Sequence, residues 1–251
     1  MVKVLLVFLM LFSSLFSIAQ TDFADIDNKT LKGPIKSMRS TLYQMKIDND
    51  GNATRTRVVL PPGSFLRAYD KNGNLTNRKQ FQSRTGQLVS EESYVYDNAN
   101  RMLKSTSSNW LSDGSYSYVY REAGRVRETK DSGGKTRAIE TFDANGNLIE
   151  EASYYEDKLL RIQTYTYDEQ KRLLAVSWKE LNDSFYASSY TYTYSDSEKA
   201  MVISKKFSDG DEMTEKHVEI KFDQYGNWTE RLQYEYGEPK LVEERIIEYY
   251  K

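Results

Sequence analysis

A turn signal returns about every twelve residues through most of this 251-residue chain, and that beat restricts the fold more than any other feature. Residues 142–167 show the full unit. Phe142 and Asp143 lead into a turn at Ala144, Asn145, Gly146 and Asn147. A strand-like run then reaches a second turn near Glu156, Asp157 and Lys158, and a returning run ends at Tyr167 and Asp168. Such units open at Ile47, Tyr69, Tyr96, Tyr120, Phe142, Tyr167, Tyr194 and Phe222, 22 to 28 residues apart. An aspartate follows the opener at Asp48, Asp70, Asp97, Asp143, Asp168 and Asp223. Glycine stands four residues after it at Gly51, Gly73, Gly124, Gly146 and Gly226, with Asn100 in the Tyr96 unit. The chemistry is that of a tight hairpin: the carboxylate caps the turn, and glycine or asparagine accepts the positive φ. Lys171 and Glu198 occupy that place in two units, so those turns are expected to be built differently.

Between turns the side chains alternate with period two. Tyr116, Tyr118 and Tyr120 share one face against Ser115, Ser117 and Val119, and Tyr190, Tyr192 and Tyr194 repeat the device against Thr191 and Thr193. No long segment has a helical period. The pattern predicts an all-β fold: about sixteen strands in an antiparallel meander of repeated hairpins, forming one long twisted, curled sheet. That sheet would be an open strip or a partly closed barrel, with essentially no helix beyond the N-terminal signal.

That signal occupies residues 1–19. Lys3 supplies the positive start, residues 4–16 are apolar, and Ser17 and Ala19 put small residues before the expected cleavage point. The apolar run is shorter than the roughly 20 residues that span a bilayer as a helix, and no later segment qualifies. The mature protein is therefore expected to be exported, periplasmic or at the cell surface, with residues 20–34 a polar lead-in and residues 35–251 the repeat domain. Pro61, Pro62 and Gly63 read as an irregular interruption between the first two units.

The chain has no cysteine, so disulfides cannot hold it in an oxidising compartment. Charge is balanced at 35 Lys and Arg against 37 Asp and Glu, which argues against nucleic acid as a partner. Twenty tyrosines and few large aliphatic residues suit a thin, half-wet sheet better than a thick oily core.

Chemistry is sparsely supplied. One histidine, His217, and no thiol leave no set for an imidazole or thiolate metal site or a Cys-His nucleophile. His217 reads as a solvated sheet residue, on one face with Glu219 and Lys221. The Asp/Asn-rich turns look superficially like calcium loops, but each is four or five residues long and lacks a closing bidentate carboxylate at a fixed offset. No carboxylate pair is singled out by spacing. The reading is of a protein that is not an enzyme and needs no cofactor. The best binding candidates are aromatic: Tyr116, Tyr118, Tyr190, Tyr192, Trp110 and Trp178, which could stack on a glycan or anchor a protein partner. Cross-strand packing is the competing use of the same rings. Trp228, standing where Leu75 and Leu148 stand in other units, reads as core.

The openers in Tyr69, Asp70, Lys71, Asn72, Gly73, Asn74, Leu75 and in Phe142, Asp143, Ala144, Asn145, Gly146, Asn147, Leu148 resemble the YD repeats of the Rhs family, as does the unit at Phe222. The resemblance covers roughly residues 35–251. It implies paired repeats in a long curling β-strip, which in the largest members winds into a shell around a toxin domain. This chain is similar to the small exported form without a toxin domain. A whole chain spent on repeated hairpins, with no residue set left over for chemistry, reads as an interaction or structural module. The alternatives are a small-molecule or lipid carrier with a cavity enclosed by the curled sheet, or an accessory of an Rhs-type toxin system.

Overall fold

The computed structural model describes residues 31–47, 53–57, 64–82, 85–109, 113–181, 188–207 and 210–251. The signal, most of the lead-in, Pro61, Pro62, Gly63, Trp110, Ser112, Asn182, Asp183, and the first turn from Asp48 to Asn52 lie outside the described residues.

Among the described residues, seventeen strands follow the turn signals. The first are β1 (Ile35–Ile47), β2 (Ala53–Arg57), β3 (Ser64–Tyr69), β4 (Leu75–Phe81), β5 (Leu88–Tyr96) and β6 (Met102–Asn109). Next come β7 (Asp113–Arg121), β8 (Val126–Asp131), β9 (Thr136–Phe142), β10 (Leu148–Tyr155), β11 (Lys158–Tyr167) and β12 (Leu173–Glu180). The last are β13 (Ser188–Ser195), β14 (Ala200–Lys206), β15 (Glu212–Phe222), β16 (Trp228–Glu235) and β17 (Glu238–Tyr249). From β3 onward each strand pairs antiparallel with the next. β1 lies between β17 and β3, with Met38 opposite both Ile247 and Arg67. Sixteen strands thus form a closed ring, not an open strip, and among the described residues β2 pairs with β1 alone. One turn of 3₁₀ helix at Glu122–Gly124 is the only helical element among the described residues.

The opener turns share one local geometry. In the Phe142 unit the Asp143 amide donates to the Asn147 carbonyl at 2.9 Å, and the Gly146 amide donates to the Asp143 carbonyl at 3.1 Å. Gly146 sits at φ 78°. This is a three-residue hairpin loop, a type I turn followed by a left-handed residue. Lys171 corrects the expectation for its unit: it adopts φ 64°, and the turn from Asp168 to Arg172 carries the same two bonds. The carboxylate cap compensates a side chain that disfavours that conformation. The Tyr194 turn does differ, because its left-handed residue is Lys199 and its turn begins one position later, at Asp196.

Each regular opener turn is followed by a bulge. Leu148 pairs with Phe142 and Glu150 with Thr141, leaving Ile149 as the extra residue. Thr76, Leu103, Leu174 and Thr229 stand in the same position of their units. A bulge bends its strand and increases twist. Repetition at the same end of successive hairpins curls the sheet in one sense, and closure follows.

The two faces differ. On β11, Arg161, Gln163 and Tyr165 are buried while Thr164 and Thr166 are exposed; on β15, Glu215 and His217 are buried while Thr214 and Ile220 are exposed. The buried face is the inside of the ring. Its apolar share is small: Met38, Leu173, Val176 and Ile203 are fully buried there, among charged side chains. Trp228, also buried, is packed beneath Arg231 and Arg245, as a core position should be.

Candidate functional site

Period-two alternation sends the aromatic candidates among the described residues to the inner face, on two separate walls. On the β12–β13–β14 wall, Trp178 meets Tyr190 edge-to-face, with ring centroids 4.6 Å apart and planes at 89°. This geometry suits the ring quadrupoles. The Lys205 ammonium lies 5.6 Å from the Tyr190 centroid and pairs with Glu215 at 2.5 Å. Tyr192 is buried opposite Ile203, so its ring serves packing. Tyr116 and Tyr118 stand on β7, on a different wall, where the Tyr118 hydroxyl and Ser105 Oγ are 2.8 Å apart. Burial pushes the Tyr118 hydroxyl's pKa upward. The six candidates therefore do not make one patch: Trp178 and Tyr190 touch, Tyr116 and Tyr118 are neighbours on β7, and Trp110 lies outside the described residues.

His217 corrects its sequence reading. It is buried on the inner face, 6% exposed, with Nε2 3.6 Å from Glu215. Lys221 lies beyond a register shift and pairs with Glu230 instead. Burial lowers the His217 pKa more than Glu215 raises it, so the ring is neutral at neutral pH. For Glu215, burial opposes ionisation, but His217 and Lys205 together hold its pKa below the usual carboxylate range.

The charged lining has no local signature in the sequence. On the β8–β9–β10 wall, Arg127 grips Glu140 with two nitrogens and stacks between the rings of Tyr118, at 5.2 Å, and Phe142, at 5.4 Å. Glu151 sits directly across from Glu140, and burial followed by that like charge raises its pKa. Parity counted outward from each Asp turn would have placed Arg127 and Glu140 on one face. Nothing in the sequence says which face is inside.

The Asp turns form a rim. Asp143 Oδ1 accepts the amides of Asn145 and Asn147, each at 2.8 Å, and Oδ2 accepts the Asn147 side chain at 3.0 Å. Those bonds, the Asn147 amide first, hold the Asp143 pKa below its ordinary value. Asp70, Asp97, Asp168 and Asp223 use their carboxylates in the same way on this rim, as does Asp131 in the β8–β9 turn at the opposite end of the strands. Opener hydroxyls stitch neighbouring units together: Tyr96 donates to the Leu75 carbonyl at 2.8 Å, Tyr167 to Leu148 at 2.9 Å and Tyr194 to Leu173 at 2.9 Å. These aspartates are thus spent on turn building. No group of three metal-ligating side chains occurs among the described residues.

No protein-family model matches the chain, and no curated protein matches it in sequence. Among solved structures it is similar to a porin-like protein from Bacteroides uniformis, at 12% identity and a TM-score of 0.44, covering 87% of this chain and 99% of that one. A porin-like protein from Bacteroides vulgatus gives 10% identity and a TM-score of 0.34 with the same coverage, 87% and 99%. TcdB2-TccC3 without its hypervariable C-terminal region gives 11% identity and a TM-score of 0.36 over 78% of this chain and 11% of that one. Likenesses this loose say nothing of what the chain binds. No helix among the described residues is long and apolar enough to cross a membrane, which leaves strand-built spans unaddressed.

Proposed function

We propose that the chain is an exported, non-catalytic β-repeat protein of the YD-repeat kind, acting as an interaction module in the periplasm or at the cell surface. Its ligand is a polar, sugar-like molecule held against the aromatic inner face. The observation that carries this reading is the Trp178–Tyr190 pair, flanked by Lys205 and Glu215 on a face where rings and charges alternate. Rings that offer a stacking surface beside charged hydrogen-bonding groups suit a saccharide. Among the described residues, ring closure leaves only the short strand β2 with an unpaired edge for a partner strand. A lipid carrier is disfavoured because an acyl chain would face buried Arg67, Glu140, Arg161 and Glu215.

A membrane-spanning barrel is the second reading, favoured by the sixteen-strand closure. Against it, the outer face carries charges within the strands, among them Lys79, Glu91, Lys104, Glu150 and Lys179. Each Lys or Arg facing mid-bilayer lipid costs about 2–4 kcal/mol.

A glycan array probed with the full chain, followed by calorimetry on the best hit, tests the proposal. Trp178→Ala and Tyr190→Ala should each weaken binding about tenfold or more. An empty array, or affinities untouched by both substitutions, would reject sugar binding at this wall. Partition of the protein into detergent-extracted outer membrane would favour the spanning barrel.

A further inference from the structure

The inner face around β1 carries one buried guanidinium, Arg67, with no carboxylate beside it among the described residues. Arg67 is 6% exposed, yet among the described residues no carboxylate lies within 4.0 Å of it and its Nε has no hydrogen-bond partner. The Phe65 ring centroid lies 5.7 Å from its guanidinium carbon. Ser40, 3% exposed, has an Oγ without a partner; it lies on β1 between Arg245 of β17 and Phe65 of β3. Arg78 stands directly across from Arg67 on β4 and reaches Glu92 only at 3.7 Å. On the other side, Arg231 and Arg245 share Glu243, at 2.8 and 3.6 Å, and both cover Trp228. Arg78, Arg231 and Arg245 each have a carboxylate within 4.0 Å, whereas among the described residues Arg67 has none.

A guanidinium cannot shed its proton at physiological pH. A buried, unpaired charge is strongly destabilising, so proteins pair such charges or bring in a counter-ion. The conflict is physical: burial first, then the like charges of Arg78 and Arg245, act against the Arg67 cation, and outweigh Tyr69 and Glu243, which act in its favour. Phe65 and Trp228 hold the arginines by cation–π contact and supply no counter-charge.

We infer that the inner face where β17, β1, β3 and β4 meet is an oxyanion-binding site, with Arg67 and Ser40 as its donors. The ligand class is a carboxylate, phosphate or sulfate group, carried by a free anion or by an acidic sugar. The Arg67 fork supplies paired N–H donors suited to two oxygens of such a group, and Ser40 supplies a further donor. The site does not depend on sugar binding at Trp178, which is on a different wall.

The test is thermal unfolding of the full chain with sodium sulfate, sodium phosphate or sodium galacturonate at low-millimolar concentration, each at constant ionic strength made up with chloride. Near saturation at least one probe should raise Tm by about 5–10 °C. A response to the inorganic anions points to a free ion, and a response to galacturonate alone points to an acidic sugar. Arg67→Met should abolish the response while melting in chloride at or above the wild-type temperature. Ser40→Ala should keep the response and shift its half-maximal concentration about tenfold upward. A flat wild-type response to all three probes overturns the site, as does an unchanged midpoint concentration in both variants. An Arg67→Met protein that melts well below wild type, or does not fold, would assign the guanidinium to the fold and overturn it equally.

Discussion

Glu140 and Asp143 are three residues apart, and their carboxylates are satisfied by opposite means. Asp143, on the rim, takes amides from Asn145 and Asn147, two and four residues ahead in its own turn. Glu140, on the inner wall, takes the guanidinium of Arg127 from the neighbouring strand β8. The rim carboxylate needs only its own hairpin. The wall carboxylate needs the correct register between two strands and the burial that ring closure provides. The rim therefore behaves as a set of independent local units, and the wall as a network in which one loss strands a partner.

The largest expected effect lies on the wall. Arg127→Met leaves Glu140, 8% exposed, without its counter-charge; the cost should be about 3–5 kcal/mol in urea unfolding. Adding Glu140→Gln should recover much of it. A single-variant cost no greater than that of a rim substitution would break the contrast. Next comes Gly146→Ala on the rim. A Cβ there meets no atom within 4 Å, so only the positive φ of 78° opposes it, at about 1–2 kcal/mol.

The two regions should also respond to pH with opposite signs. The folded pKa of Asp143 lies below its ordinary 3.8, so its contribution is present above about pH 3.8 and is lost as pH falls through the folded value. Asp143→Asn should therefore flatten the acid limb of a stability-pH curve. The folded pKa of Glu151 lies above its ordinary 4.5, so its carboxyl favours the fold at low pH and opposes it once pH rises through the folded value. Glu151→Gln should raise the urea midpoint at pH 7 and do little at pH 4. The same sign in both variants would show that the wall and rim are not distinct electrostatically. The smallest effect is Lys171→Gly. Relief of a non-glycine residue at φ 64° should add up to about 1 kcal/mol, in part offset by added freedom of the unfolded chain.

The same division explains what could be read early. The Asp turns, the strand alternation, the all-β meander and the core place of Trp228 were legible because each follows from residues within one hairpin. The turn at Lys171 departs from the expectation because it does not need glycine: the Asp168 carboxylate, bonded to the Gln170 and Arg172 amides, holds the conformation without it. The burial of His217 has no local signal, because alternation pairs residues on a face without saying which face is covered. The charged lining, with Arg67, Arg127, Glu140 and Glu151, gave no local signal for the same reason.

Hairpin geometry is local, so the chain's own order of aspartate, glycine and alternating side chains was enough to specify the strands and their turns. Closure was not local. Whether β1 meets both β17 and β3 depends on the sum of bulge and twist around sixteen strands, and no single unit carries that sum. Only when the ring shuts does one face become the inside, and only then do cross-strand neighbours such as Arg67 and Arg78 become buried charges in need of a partner.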